Sequence, residues 1–161
     1  RGVRVRLDDR ENMSPGFKFN HWEVRGVPVR LELGPRDLDA GQVTSVLRMD
    51  GSKFPTPIPR AADGMKELLE DIHRRMLRNA EDFREARTYD ADSLDGFREQ
   101  LPEKPGFYRV WWDGTSEDED RIQEQTSATV RCIPLEQPGG KGKCFITGRT
   151  TSTRAILARA Y

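Results

Sequence analysis

Val3, Val5 and Leu7 alternate with Arg4 and Arg6, and this period of two predicts a strand at the start of the chain. Ser14 followed by Pro15 offers a helix cap with proline at the first helical position, and Gly26 supplies the stop, so residues 15 to 25 are expected to be helical. On that helix Phe17, His21 and Val24 share one side while Phe19 and Trp22 share another, which calls for two surfaces to pack against. Val29, Leu31 and Leu33 then alternate with Arg30 and Glu32 until Gly34-Pro35 ends a second strand. Strand, helix and strand in this order predict a βαβ unit with parallel strands.

A third strand is expected over 42 to 48, closed by a turn at Asp50-Gly51. Pro55, Pro57 and Pro59 argue against regular structure next. From 61 to 86 Met65, Leu68, Leu69, Ile72, Met76 and Phe83 recur at helical spacing, and the end of this helix is the expected domain boundary. Beyond it the pattern predicts a helix over 93 to 101, a strand over 107 to 112, a helix over 117 to 128 and a strand over 130 to 134. A glycine-rich turn, PGGKGK, follows, and two further strands are expected near 144 to 147 and 154 to 160. The expected architecture is α/β in two small lobes, residues 1–88 and 89–161.

Composition narrows the function classes. The 161 residues hold 27 basic and 27 acidic side chains, so the molecule as a whole carries no polyanion-binding charge. Locally the balance breaks: residues 113 to 124 are rich in acid, whereas every formal side-chain charge from Lys141 to Arg159 is positive. A solvated face explains such runs most simply. Two cysteines, Cys132 and Cys144, are too few for a disulfide scaffold and fit a reducing compartment. No apolar run reaches the ~20 residues of a membrane span, and no signal-peptide core opens the chain, so a cytoplasmic protein is expected.

The polar residues around the second strand carry the candidate chemistry. Glu23 ends the first helix, Arg30 lies inside the strand, and Arg36 with Asp37 follows Gly34-Pro35. Open α/β sheets bind ligands at the carboxyl ends of parallel strands, which is where Arg36 and Asp37 are expected. A carboxylate suits the two adjacent N–H donors on the Watson–Crick edge of guanine, and a guanidinium fork suits O6 and N7. Two acids and two arginines would therefore suit two unstacked guanines in a single-stranded RNA loop. The plainer alternative leaves Arg30 and Glu32 solvated, and makes Arg36 with Asp37 a turn pair of little energy.

The stretch LDDRENMSPGFKFNHWEVRGVPVRLELGPRDL, from Leu7 to Leu38, resembles the anticodon-binding domain of prolyl-tRNA synthetases of the archaeal and eukaryotic type. The likeness continues through the long helix and through TSATVRCIPLE, and ends in the terminal ARAY. It implies a mixed-sheet anticodon-binding domain followed by a small α+β C-terminal domain. It also implies that Glu23, Arg30, Arg36 and Asp37 hold the second and third anticodon bases of tRNA(Pro). Lysine is common at position 36 in such proteins, and arginine there adds a fork. The class II catalytic motifs, which use ATP and Mg to attach proline to tRNA(Pro), are not found in this segment, nor is the first βα unit of the anticodon-binding domain. No catalytic residue and no cofactor is expected here; the expected partners are tRNA(Pro), the enzyme's own catalytic domain and a second copy in a homodimer. Arg1, Arg4, Arg6 and Lys18 are candidates for phosphate contacts.

Many members of this family hold a structural zinc with four cysteines in the last lobe. The corresponding positions here are Asp113, Asp118, Cys144 and Thr147, a poor zinc set, so no metal is expected. The lobe should then rest on its own packing, with Phe107, Trp111, Ile133, Phe145 and Ile156 as core and Cys132 as a buried structural thiol. His21 and His73 read as packing or surface residues, and PGGKGK as a flexible hairpin without the spacing of a phosphate loop. By the same resemblance Tyr161 would approach the active site of the full enzyme. Two other functions fit the residues: a non-catalytic RNA-binding or regulatory module derived from a synthetase, and a purely structural docking lobe.

Overall fold

The computed structural model describes residues 2–159. The chain divides into two compact units, one running through Asn79 and the other from Ala80 onward. Tyr161 and Arg1 lie outside the described residues.

In the first unit the alternation at Val3, Val5 and Leu7 does not produce a strand. These residues have no regular structure, and Val5 and Leu7 are 85% and 78% exposed. The local fixed point is Asp8 instead. Its carboxylate takes two bonds from the Arg10 guanidinium, at 2.8 and 2.6 Å, and one from the Trp22 indole N–H at 2.8 Å. Helix α1 (Pro15–Val24) begins as the sequence predicts: Ser14 Oγ accepts from Phe17 N at 3.3 Å, with proline at the first position. It ends where Gly26 adopts φ +79°, donating to Glu23 O while Val27 N donates to Trp22 O, the paired bonds of a glycine-closed terminus.

Strands β1 (Val29–Glu32), β2 (Gln42–Leu47) and β3 (Lys53–Pro57) form a sheet in that order, with antiparallel pairing throughout. The expected parallel βαβ unit is therefore not present: its first strand does not form, and β1 pairs instead with the segment that follows it, Val29 opposite Leu47. Between β1 and β2 runs the short helix α2 (Pro35–Asp39), so Arg36 and Asp37 sit on a helical turn and not at the end of a parallel strand. Pro55 and Pro57 lie within β3 after all. An edge strand tolerates a missing N–H, because half of its backbone donors face away from the sheet. The 28-residue α3 (Ile58–Glu85) follows, with Ile72 buried and Met76, Leu77 and Phe83 exposed, and the division between the units falls within it. Among the described residues no helix is long and apolar enough to cross a membrane.

The second unit contains β4 (Thr88–Asp90), α4 (Leu94–Gln100), β5 (Phe107–Trp111), α5 (Ser116–Thr126), β6 (Ala128–Cys132), β7 (Gly142–Lys143), β8 (Thr150–Thr151) and β9 (Arg154–Arg159). Its four-stranded sheet has the order β4-β5-β9-β6 and is mixed, since β4 runs parallel to β5 while β9 is antiparallel to both neighbours. Ser93 caps α4, and Thr115 with Asp118 forms a reciprocal cap on α5. One face of the sheet makes the core: Tyr108, Val110, Ala155 and Leu157 are fully buried together with Phe97 of α4 and Ile122 of α5.

That core uses the opposite face of β5 from the one expected. Phe107 is 37% exposed and Ile133 52%, while Trp111 and Ile156 are half-buried; of the expected set only Phe145 is in the core. Side chains alternate along a strand, so choosing the wrong face of FYRVWW exchanges the whole set. The thiols are exchanged too, with Cys132 exposed and Cys144 buried. Residues 144 to 147 form a turn between β7 and β8, not a strand, with Gly148 N donating to Cys144 O at 2.9 Å.

Candidate nucleic-acid interface

Glu23 occupies the last turn of α1, and the glycine closure at Gly26 carries the chain directly into β1, where Arg30 lies. The two side chains meet: the Arg30 guanidinium pairs with the Glu23 carboxylate. It also donates to Glu32 Oε1 through Nε at 2.9 Å, with Nη2 in ion-pair contact at 2.8 Å, and lies 4.1 Å above the centre of the Phe19 ring. Arg30 is thus neither solvated nor free, since its side chain is only 17% exposed, whereas Glu23 remains 47% exposed. The alternative in which Arg30 and Glu32 are merely solvated does not hold. A shallow cleft beside this cluster is lined by Trp22, Glu23, Val27, Arg30, Val46 and Arg48.

Asp37 is held differently. Its Oδ2 accepts from Gly34 N at 2.9 Å, closing the first turn of α2, and its Oδ1 accepts from Thr44 Oγ1 at 3.0 Å. Thr44 stands opposite Glu32 across the β1–β2 pair, and directly opposed residues share a sheet face. Arg30, Glu32 and the Thr44 hydroxyl that holds Asp37 therefore lie on one face of the sheet. Arg36, on the same turn as Asp37, is exposed, and its side chain makes no hydrogen bond or ion pair among the described residues.

Three partners escaped the sequence reading: Phe19 as the platform under Arg30, Glu32 as its second carboxylate, and Thr44 as the anchor of Asp37. The first two carry a readable signal. Phe19 precedes Glu23 by one helical turn and Glu32 follows Arg30 by one strand period. Thr44 carries none, because its proximity depends on pairing with a distant segment. Of the candidate phosphate contacts, Arg4 and Arg6 are exposed, Lys18 donates to Asp8 O at 3.3 Å, and Arg1 lies outside the described residues. The Arg10 and Trp22 bonds hold the Asp8 carboxyl well below the usual carboxylate range. Burial, with help from the Arg25 and Arg10 cations, pushes the His21 imidazole down, so it is neutral at pH 7.

The four positions that align with zinc ligands do not fit the metal. Thr147 Oγ1 donates to Asp113 Oδ1 at 2.7 Å, Asp113 N donates to Cys144 Sγ at 3.4 Å, and the Arg149 guanidinium pairs with Asp113 Oδ2 at 2.9 Å. Asp118 is turned away to cap α5 through Thr115 N at 2.9 Å. A fixed cation thus occupies the carboxylate, a single thiol remains, and threonine is a very weak ligand. Among the described residues no three His, Cys, Asp or Glu side chains converge as a metal site.

Residues 1–68 match the family described as "Anticodon binding domain", and residues 94–161 match "Prolyl-tRNA synthetase, C-terminal". The chain is 45% identical, over 99% of its length, to a proline–tRNA ligase of Roseiflexus sp., covering 33% of that protein. It is 46% identical over 99% of its length to the proline–tRNA ligase of Chloroflexus aurantiacus, and 40% identical over its whole length to proline–tRNA ligase 2 of Clostridioides difficile. It covers 33% and 34% of those two proteins, so the chain spans about a third of the length of the curated relatives it matches. Residues 1–68 are thus similar to anticodon binding domains, and residues 94–161 to the C-terminal part of prolyl-tRNA synthetases.

Proposed function

We propose that this chain is the tRNA-reading, C-terminal part of a proline–tRNA ligase of the archaeal and eukaryotic type, and that Glu23, Arg30, Arg36 and Asp37 read two adjacent guanines of the proline anticodon. The carrying observation is the Glu23–Arg30–Glu32 cluster beside Asp37 on one sheet face. Arg30 is fixed by two acids and a ring, so its remaining N–H donors point without further ordering, the preorganisation that recognition of an acceptor edge needs. Glu23 keeps a second carboxylate oxygen for a guanine N–H. Asp37 uses one lone pair of each oxygen internally and retains capacity for another donor, while Arg36 brings an uncommitted fork.

In this reading ATP and Mg act in a catalytic domain of the full enzyme and not in this segment. The enzyme attaches proline to tRNA(Pro) in the cytoplasm and works as a homodimer, and the last lobe holds together without zinc. The test is binding of a labelled anticodon stem-loop to the chain, with each guanine replaced in turn by inosine, which lacks only the 2-amino donor. Loss of one carboxylate contact should weaken binding about 5- to 150-fold at one base, and Glu23→Gln should abolish discrimination at that base while leaving the other intact. Equal weakening of every anticodon by Glu23→Gln and Arg36→Ala would refute the assignment. A non-catalytic module descended from a synthetase would bind the same stem-loop but belong to a protein without proline-dependent ATP–pyrophosphate exchange.

A further inference from the structure

In the second unit α4 and α5 pack on one face of the sheet, through Phe97 and Ile122. On the other face Phe107, Arg109 and Trp111 of β5 stand in line, opposite Ala158, Ile156 and Arg154 of β9, with Asp90 beside Arg109. Residues two apart on a strand share a face, and four residues span about 13 Å, so this is an aromatic–arginine–aromatic row along one strand. At its Trp111 end lies a cleft of about 620 Å³ walled by the 134–139 loop.

The row is held rigid from below. Asp90 accepts from Arg109 at 2.8 Å and from Arg154 at 2.7 Å, one guanidinium on each oxygen, and Arg154 lies 4.3 Å from the centre of the Trp111 ring. The side-chain Nε of Arg154 is buried with no hydrogen-bond partner, an unpaired donor in the cleft wall. Gly142 presses on the Trp111 indole so closely that a Cβ there would sit 2.1 Å from Nε1, and its chain neighbours Lys141 and Lys143 are both exposed. Arg131 is exposed on β6, the strand beyond β9. The surroundings thus carry cations at 109, 131, 141, 143 and 154 against carboxylates at 90 and 136, and Asp90 is already neutralised by two arginines.

We propose that this face is a second RNA contact: a platform on which the exposed Phe107 ring and Arg109 plane take unstacked bases of a single-stranded segment, walled by the Trp111–Arg154 stack, while Lys141, Lys143 and Arg131 follow its phosphates. Flat rings and guanidinium planes accept any base, and the cations accept the backbone, so recognition here tolerates sequence. Rings and arginines also occur in protein interfaces, but lysine is depleted there, whereas exposed Lys141 and Lys143 adjoin this row. RNA is the polyanion at hand because residues 1–68 match an anticodon binding domain. The contact does not depend on which bases, if any, the first unit reads.

An RNA of about twelve uridines carrying 4-thiouridine separates the two units, because it offers no guanine to Glu23 or Asp37. With the whole 161-residue chain, photocross-links should fall within 107–111 or 141–143. Phe107→Ala, at an exposed ring, should weaken binding about 5- to 150-fold, the range for one base–aromatic stack, and Trp111→Ala, which frees Arg154 from its ring, should weaken it too. Glu99→Gln, exposed on α4, should leave the affinity within twofold. If Trp111→Ala loses its far-ultraviolet circular dichroism, Phe107→Ala and Lys143→Ala carry the test. Cross-links confined to residues 2–79, or affinity unmoved by Phe107→Ala and Lys143→Ala, would overturn the proposal, as would the behaviour of a protein-docking face, which leaves uridine binding absent altogether.

Discussion

Replacing Asp37 with alanine tests whether that carboxylate is a structural tie as well as a candidate reader. It makes two internal bonds, 2.9 Å from Gly34 N and 3.0 Å from Thr44 Oγ1. The first closes a helix start, worth about 1 kcal/mol by analogy with capping losses. The second ties α2 to the central strand of the sheet and is worth about 1 kcal/mol net. Their joint loss, about 2 kcal/mol, corresponds to roughly 30-fold in a local opening equilibrium. Amide hydrogen exchange across β1 and β2 should therefore accelerate about 30-fold in Asp37→Ala and about fivefold in Thr44→Val, which removes only the second bond. Asp37→Asn should stay near the native rate, because its amide oxygen can accept from Gly34 N while its NH₂ donates to Thr44 Oγ1. Exchange within twofold of native in Asp37→Ala, or Asp37→Asn as fast as Asp37→Ala, would refute the reasoning. The outcome also decides how RNA-binding losses are read. A weakened Asp37→Ala mixes lost structure with lost contact, whereas Arg36→Ala removes an exposed, unpartnered fork and should leave exchange unchanged.

Three further outcomes follow from the same geometry. Asp8 has its folded pKa depressed by Arg10 and Trp22, so the stability it contributes is complete above the ordinary carboxylate range, near pH 4, and is lost only as pH falls through the depressed value. The Trp22 indole N–H resonance should hold its position at pH 4 and move only in stronger acid; a midpoint near 4 would contradict the assignment. Gly106→Ala would set a Cβ 2.2 Å from Arg87 O, the acceptor of Phe107 N between β4 and β5, and should cost about 1 to 3 kcal/mol in urea unfolding of the second unit. Gly16→Ala, whose Cβ meets open space on α1, should not destabilise. Added zinc or a chelator should leave the thermal midpoint unchanged, while Thr147→Val, which deletes the 2.7 Å bond to Asp113, should cost about 1 kcal/mol; a zinc-dependent rise of several degrees would show that the cluster still takes metal.

Local signals determined the helices. Ser14-Pro15 with Gly26 announced α1, and α4 and α5 fell within two residues of their expected bounds, where Ser93 and Thr115 with Asp118 satisfy first-turn N–H groups. The residues of the candidate site were legible as a group because they crowd into a short stretch. Strand partnership was not. VRVRL alternates as well as VRLEL does, yet only the second found a neighbour, and hydrogen bonds to a distant segment leave no mark on either sequence. Likewise FYRVWW offers large rings to both faces of β5, and the choice fell to α4 and α5, whose Phe97 and Ile122 buried Tyr108 and Val110 and left Phe107, Arg109 and Trp111 in line outside. Tertiary structure alone decided that Arg30 is clamped between Glu23 and Glu32 and that Asp37 is tied to Thr44, because sequence fixes which charges exist, while their distances depend on which backbones come to lie side by side.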